Sequence, residues 1–220
     1  MSEILNAGKG QCHGTASLLI RPIQAVIELG ASGDVLTKTL KAVHHANRHG
    51  SPDNFIAVSL PSMRVGRNCM LPGYEIELIG SEASLSHLMD SDGLQSLMRR
   101  GMLRPLEIEE TFLEPGTVGA AYVRDRSCEK HTKGWIRRNR VRAERRGKAW
   151  KETDIYASGN DRTVLRLQYG TIVIHVRQII GEIRDSKLMV NTYGFSSPSP
   201  DHQAILPVYP EAARESDNAA

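Results

Sequence analysis

The chain has 220 residues, 40% of them hydrophobic, which fits one large folded domain or two small ones and excludes a disordered or fibrous class. Net charge is only +3, but Gly119–Lys151 holds 12 Lys and Arg against 3 Asp and Glu, a net of +9, leaving 16 against 22, a net of −6, elsewhere. One basic block on a mildly acidic body excludes a generally sticky basic protein and points to a polyanion, with nucleic acid foremost.

Residues 1–14 are Gly-rich and polar and read as a loose lead-in. Thr15 to Arg21 is a short apolar run stopped by Pro22, and reads as a strand. Val35, Leu36, Leu40 and Val43 follow helical spacing up to His49, with Gly50 as terminator. Phe55 to Leu60 is a second strand, ended by Pro61. Tyr74 to Ile79 alternates and reads as a third. Ser81 and Ser84 open a helix that carries Leu85, Leu88, Leu94, Leu97 and Met98, with an interruption expected near Asp92-Gly93. Leu103 to Phe112 reads as a fourth strand.

That order is strand, helix, strand, strand, helix, strand. It predicts an α+β protein with a ferredoxin-like (βαββαβ) domain over residues 1–118. Residues 119–220 form a smaller α/β region. Tyr122 to Lys133 is polar and basic, and Asp154 to Arg162 reads as a loop. Val164 to Gln168 and Thr171 to Arg177 read as strands across a turn near Gly170. Leu188 to Phe195 is a further candidate strand, and the residues from Glu211 read as disordered.

The stretch from Trp135 to Trp150 carries Arg137, Arg138, Arg140, Arg142, Arg145 and Arg146, opposed only by Glu144. Nothing breaks a helix before Gly147. At about 100° per residue Arg138, Arg142, Arg145 and Arg146 share one broad arc, while Ile136 and Ala143 point elsewhere and can anchor the helix. Like charges three and four apart destabilise an isolated helix, so the array needs an anion to face. A charge run is usually just a solvated surface. Here nearly every cation is Arg, the side chain that grips phosphates bidentately.

Cys12, Cys69 and Cys128 lie more than fifty residues apart, with no CxxC pair and no Cys/His cluster. Neither a zinc site nor a disulfide framework is expected, and no metal or cofactor is called for. No signal peptide and no membrane-spanning run is apparent, so a cytoplasmic protein without membrane contact is expected. His44 and His45 sit side by side near the end of the first helix. Adjacent helical residues point about 100° apart, so only one of them can face a ligand. Histidine takes a proton near neutral pH, although a helix-end histidine is more often there for the dipole.

Six motifs in order resemble the CRISPR-associated endoribonucleases of type I-F systems, which process precursor CRISPR RNA. His45 lies eleven residues before Ile56 of the run Phe55-Ile-Ala-Val-Ser-Leu-Pro61, as the family's catalytic histidine precedes its I-G-V-S-F-P strand. Arg126-Ser127-Cys128-Glu129-Lys130 resembles the family's R-x-Q-x-K segment, and Ile136–Arg140 falls where its basic helix starts. Ser158-Gly159 ahead of Leu165-Arg166-Leu167 is similar to its S-T-G-Q loop and R-L strand. Tyr193-Gly194-Phe195-Ser196 resembles Y-G-L-S, and Leu206-Pro207-Val208 resembles the closing Q-P-V-P.

The resemblance implies a metal-independent nuclease without cofactor. His45 would act as general base, with Tyr156 and Ser158 near the cleaved sugar. Arg124, Arg126, Lys130, Lys133 and the six helix arginines would hold a CRISPR repeat hairpin. The implied partners are that RNA, kept as the 3′ stem-loop of the mature crRNA, and other subunits of a type I-F surveillance complex. The chain also departs from the family pattern. Cys128 stands in place of a base-reading glutamine, and a thiol cannot make the bidentate amide contact. Tyr156 stands in place of a serine. Thr163 and Val164 stand where the family has a stacking aromatic. A non-cleaving RNA-binding subunit and a DNA-binding regulator are the alternatives.

Overall fold

The computed structural model describes residues 6, 8–65, 70–125, 133–149, 164–169, 172–184 and 187–207. The chain is a mixed α+β protein. A four-stranded sheet is built from β2 (Ala16–Ile20), β3 (Ala57–Ser59), β6 (Ile76–Gly80) and β7 (Ile108–Glu110), all antiparallel, in the order β3-β6-β2-β7. The connection from β2 to β3 carries α1 (Gln24–Glu28) and α2 (Ser32–His49). The connection from β6 to β7 carries α3 (Glu82–Met89) and α4 (Asp92–Arg99).

These elements follow from the residues. α2 buries Val35, Thr39, Leu40, Val43 and Asn47, one stripe at three- and four-residue spacing. Ser81 caps α3 in a reciprocal box with Ser84. The expected interruption lies at Asp90-Ser91, just ahead of Asp92-Gly93. The fourth strand is shorter than the sequence suggests. Leu103 makes only an isolated bridge to Pro22, and Pro105, which has no N–H to give a ladder, precedes the paired residues 108–110.

A second, six-stranded sheet runs β12-β8-β10-β9-β5-β4. Its members are β4 (Arg64–Val65), β5 (Met70–Leu71), β8 (Val118–Arg124), β9 (Val164–Tyr169), β10 (Ile172–Glu182) and β12 (Leu206–Pro207). Its pairings are antiparallel except β5 with β9. β8 opens at the 118/119 junction, in a stretch that reads from sequence only as a change of pattern. Gly119, Ala120 and Ala121 give weak strand signal, yet all three are buried between β10 and β12. β1 (Lys9–Cys12) forms within the stretch expected to be a loose lead-in, because it pairs with β11 (Leu188–Asn191) from near the other end of the chain.

Ala120, Tyr122, Leu165, Leu167, Ile174 and Val176 on the inner face of this sheet join Leu18, Ile20, Leu40, Val43 and Leu78 in one buried cluster. Each fully buried aliphatic side chain there contributes about 1.5–3 kcal/mol. A short 3-10 turn at Pro200–His202 precedes β12. The arginine run forms α5 (Lys133–Arg145), ended by Gly147 at φ 64°. Among the described residues, no helix is long and apolar enough to cross a membrane. The Asp154–Arg162 loop, the turn at Gly170 and the tail from Glu211 lie outside the described residues.

Candidate functional site

α2 has a fixed register against the sheet because Asn47, 1% exposed, grips β3's entry at both backbone groups of Ile56. Its Nδ2 donates to the Ile56 carbonyl at 2.9 Å, and its Oδ1 accepts from the Ile56 N–H at 2.8 Å. One turn earlier on the same stripe stands His44, at the edge of the buried face. The turn after β11 meets it there. Asn191 Oδ1 accepts from the N–H of Tyr193 at 2.8 Å, and the Gly194 carbonyl accepts from the N–H of Val58 at 2.9 Å. Gly194 has φ 81°, and a Cβ there would lie 2.6 Å from Val58 Cγ2 and 2.9 Å from the Ile56 carbonyl oxygen. Only glycine fits this close approach.

The result is a clamped imidazole. The His44 ring stacks on Tyr193 with centroids 4.2 Å apart and planes 11° apart. His44 Nδ1 donates to the Thr192 carbonyl at 3.2 Å, which leaves the basic lone pair of the neutral ring on Nε2. The guanidinium carbon of Arg124, at the end of β8, lies 5.2 Å from the Tyr193 ring centroid. Burial holds His44 below the usual histidine pKa. The Thr192 carbonyl opposes that shift, and the charges of Arg48, His45 and His49 add to it. A half-buried histidine with a lowered pKa and its tautomer fixed is equipped to accept a proton.

His45 points elsewhere. It is exposed and lines a groove of about 780 Å³ between α2 and the α3–α4 break, with Lys38, Lys41, His87, Asp90 and Asp92. Its ring centroid lies 4.3 Å from that of His49. Of the expected site residues, Arg124 therefore meets Tyr193, the ring on which His44 and not His45 stacks. Arg126, Lys130, Tyr156 and Ser158 lie outside the described residues, and so does the side chain of Lys133, the first residue of α5. Ile136 and Ala143 are half-buried on α5.

Arg137, Arg138, Arg140, Arg142 and Arg145 on α5, and Arg146 just beyond it, are all exposed. Arg140 faces Glu144 at 3.8 Å, an exposed pair worth little. Among the described residues, the other five arginines have no carboxylate within ion-pair reach. Among the described residues there is no group of three His, Cys, Asp or Glu side chains that could hold a metal.

Sequence reasoning favoured His45 and missed Tyr193 and Thr192 as partners of His44. The missed signal is the spacing of Leu40, Val43, His44 and Asn47, one continuous helical stripe that contains His44 and excludes His45. No protein-family model matches the chain, and no curated protein matches it either.

Proposed function

We propose that this chain is a metal-independent endoribonuclease that binds the stem-loop of a CRISPR repeat and cuts at its 3′ base. The observation that carries the reading is the clamped His44, its pKa lowered and its ring oriented, on a body that also presents the exposed arginine array of α5. The sheet order β3-β6-β2-β7 with helices in both connections supports a ferredoxin-like N-terminal half.

The geometry favours His44 over His45 as the general base. His44 Nε2 takes the proton from the 2′-hydroxyl upstream of the cut. The 2′-oxygen attacks the adjacent phosphorus and the bond to the 5′-oxygen breaks. That oxygen leaves with a proton from solvent, giving a 2′,3′-cyclic phosphate and a 5′-hydroxyl. Arg124 contributes positive charge toward the phosphorane as it forms. Tyr156 and Ser158 are proposed to position the sugar. General-base help of this kind contributes about 10²–10⁴-fold.

The arginines of α5, with Arg124, Arg126, Lys130 and Lys133, hold the hairpin chiefly through phosphates, because base edges are poorly accessible in an A-form major groove. The protein then stays on its product as a subunit of a type I-F surveillance complex. The test is incubation with the labelled repeat hairpin of its own genome in EDTA. A single cut leaving a cyclic phosphate supports the reading. Tight binding without a cut favours a non-cleaving RNA-binding subunit, and equal binding of duplex DNA favours a DNA-binding regulator.

A further inference from the structure

The six-stranded sheet has an outer face that the arginine helix does not account for. Met70, Leu165 and Val176 point into the core, so their strand neighbours point out. The register lines these neighbours up across five strands. Arg64 on β4 pairs with Leu71 on β5, and the β5–β9 register sets Leu71 beside Arg166 on β9. Arg166 pairs with His175 on β10, and the His175 carbonyl accepts from the N–H of Asp125, just past β8. At about 4.8 Å per strand the row spans roughly 19 Å.

From β4 to β9 the row alternates cation, apolar side chain and cation. Arg64 and Arg166 are exposed, and Leu71 between them is 39% exposed. Val173 on the same face is 41% exposed, and Arg177 stands one row along, paired with Asp125 at 3.1 Å. The far end of the row carries an aromatic platform. Tyr74 is 42% exposed, and the Arg64 guanidinium carbon lies 5.5 Å from its ring centroid. The near end, Asp125, is the residue after β8, the strand that precedes α5 in the chain.

We propose that this row is a track for single-stranded RNA running on from the hairpin, with its phosphates on Arg64 and Arg166 and a base stacked at Tyr74. The inference rests on the RNA-binding reading above. A duplex offers a flat face only its phosphates and has no free base for Tyr74 or Leu71. A single strand offers both, and cationic side chains beside an aromatic platform are what such a strand's phosphates and bases bind. The α5 arginines then take the stem and the sheet takes its flank.

The experiment compares three fluorescent RNAs by anisotropy: the repeat hairpin cut flush, the same hairpin with an oligouridine tail at either end, and the tail alone. A tail on one end is expected to tighten hairpin binding at least about fivefold, the lower end of what one stacked base contributes. Tyr74→Ala with Arg64→Gln, and separately Arg166→Gln, should erase that gain and leave flush-hairpin affinity as it was. Unchanged flush-hairpin binding also shows that the variants are folded. A flush hairpin that binds tightly with no gain from either tail overturns the track and leaves the nuclease reading intact. So does a gain that survives all three substitutions. Binding of the tail alone that the variants abolish, with no preference for the hairpin, supports the track and overturns the hairpin reading.

Discussion

Asn47→Ala tests whether the site depends on the fastening of α2 to β3. The substitution removes a donor to the Ile56 carbonyl and an acceptor from the Ile56 N–H, both inside a side chain that is 1% exposed. Each orphaned buried group costs about 1–3 kcal/mol. Partial relaxation brings the expected loss to about 2–4 kcal/mol. For a chain of this size that corresponds to a fall in Tm of roughly 5–15 °C. The loss should appear in urea titrations followed by far-UV circular dichroism, as a lower midpoint with an unchanged slope. Cleavage should fall further than unfolding explains, because His44 lies one turn from Asn47 on the same stripe. A loss under about 1 kcal/mol with full activity would refute the claim that Asn47 sets the register of the histidine.

Gly194→Ala must adopt φ 81° with a Cβ pressed against Val58 and the Ile56 carbonyl, so it should lose at least about 2 kcal/mol and most cleavage. Gly116→Ala is the control. It has φ 86° but nothing within 4 Å, and should lose only the conformational part. Arg138→Ala with Arg142→Ala should weaken hairpin binding and lower the salt slope by roughly 0.9 per lost phosphate contact. An unchanged slope would remove those residues from the interface. The pH dependence of the cleavage step follows from the depressed His44 pKa. Only the neutral ring accepts a proton, so the rate is full at high pH and falls as pH drops through a midpoint below 6.5, the ordinary histidine value. A midpoint above 6.5 would contradict the assigned environment.

The strands with apolar alternation and the helices with a clear stripe were legible in the sequence, because their burial repeats within a few residues. β1 and β8 were not. Lys9–Cys12 is strand because Leu188–Asn191 lies on one side and the Pro52 and Phe55 backbone bonds Gln11 on the other, and Gly119-Ala-Ala is buried by its neighbours rather than by its own propensity. The arginine helix was legible up to its stop at Gly147. The choice between His44 and His45 was not resolved by counting back from the Ile56 strand, since one residue of offset turns a helical side chain by about 100°. The outer row from Arg64 to Asp125 depends on a parallel pairing between strands far apart in sequence, and no local pattern announces it.

The central claim is that a neutral His44 drives attack by the 2′-hydroxyl, and one set of single-turnover reactions tests it directly. The repeat hairpin is incubated in EDTA with the wild type, His44→Ala and His45→Ala, and a hairpin with a 2′-deoxy sugar before the cut is incubated with the wild type. His44→Ala should cut about 10²–10⁴-fold more slowly while binding the hairpin as before, and His45→Ala should stay near the wild-type rate. The deoxy hairpin should bind and remain whole. A His44→Ala enzyme that cuts at the wild-type rate, or a deoxy hairpin that is still cleaved, would contradict the account.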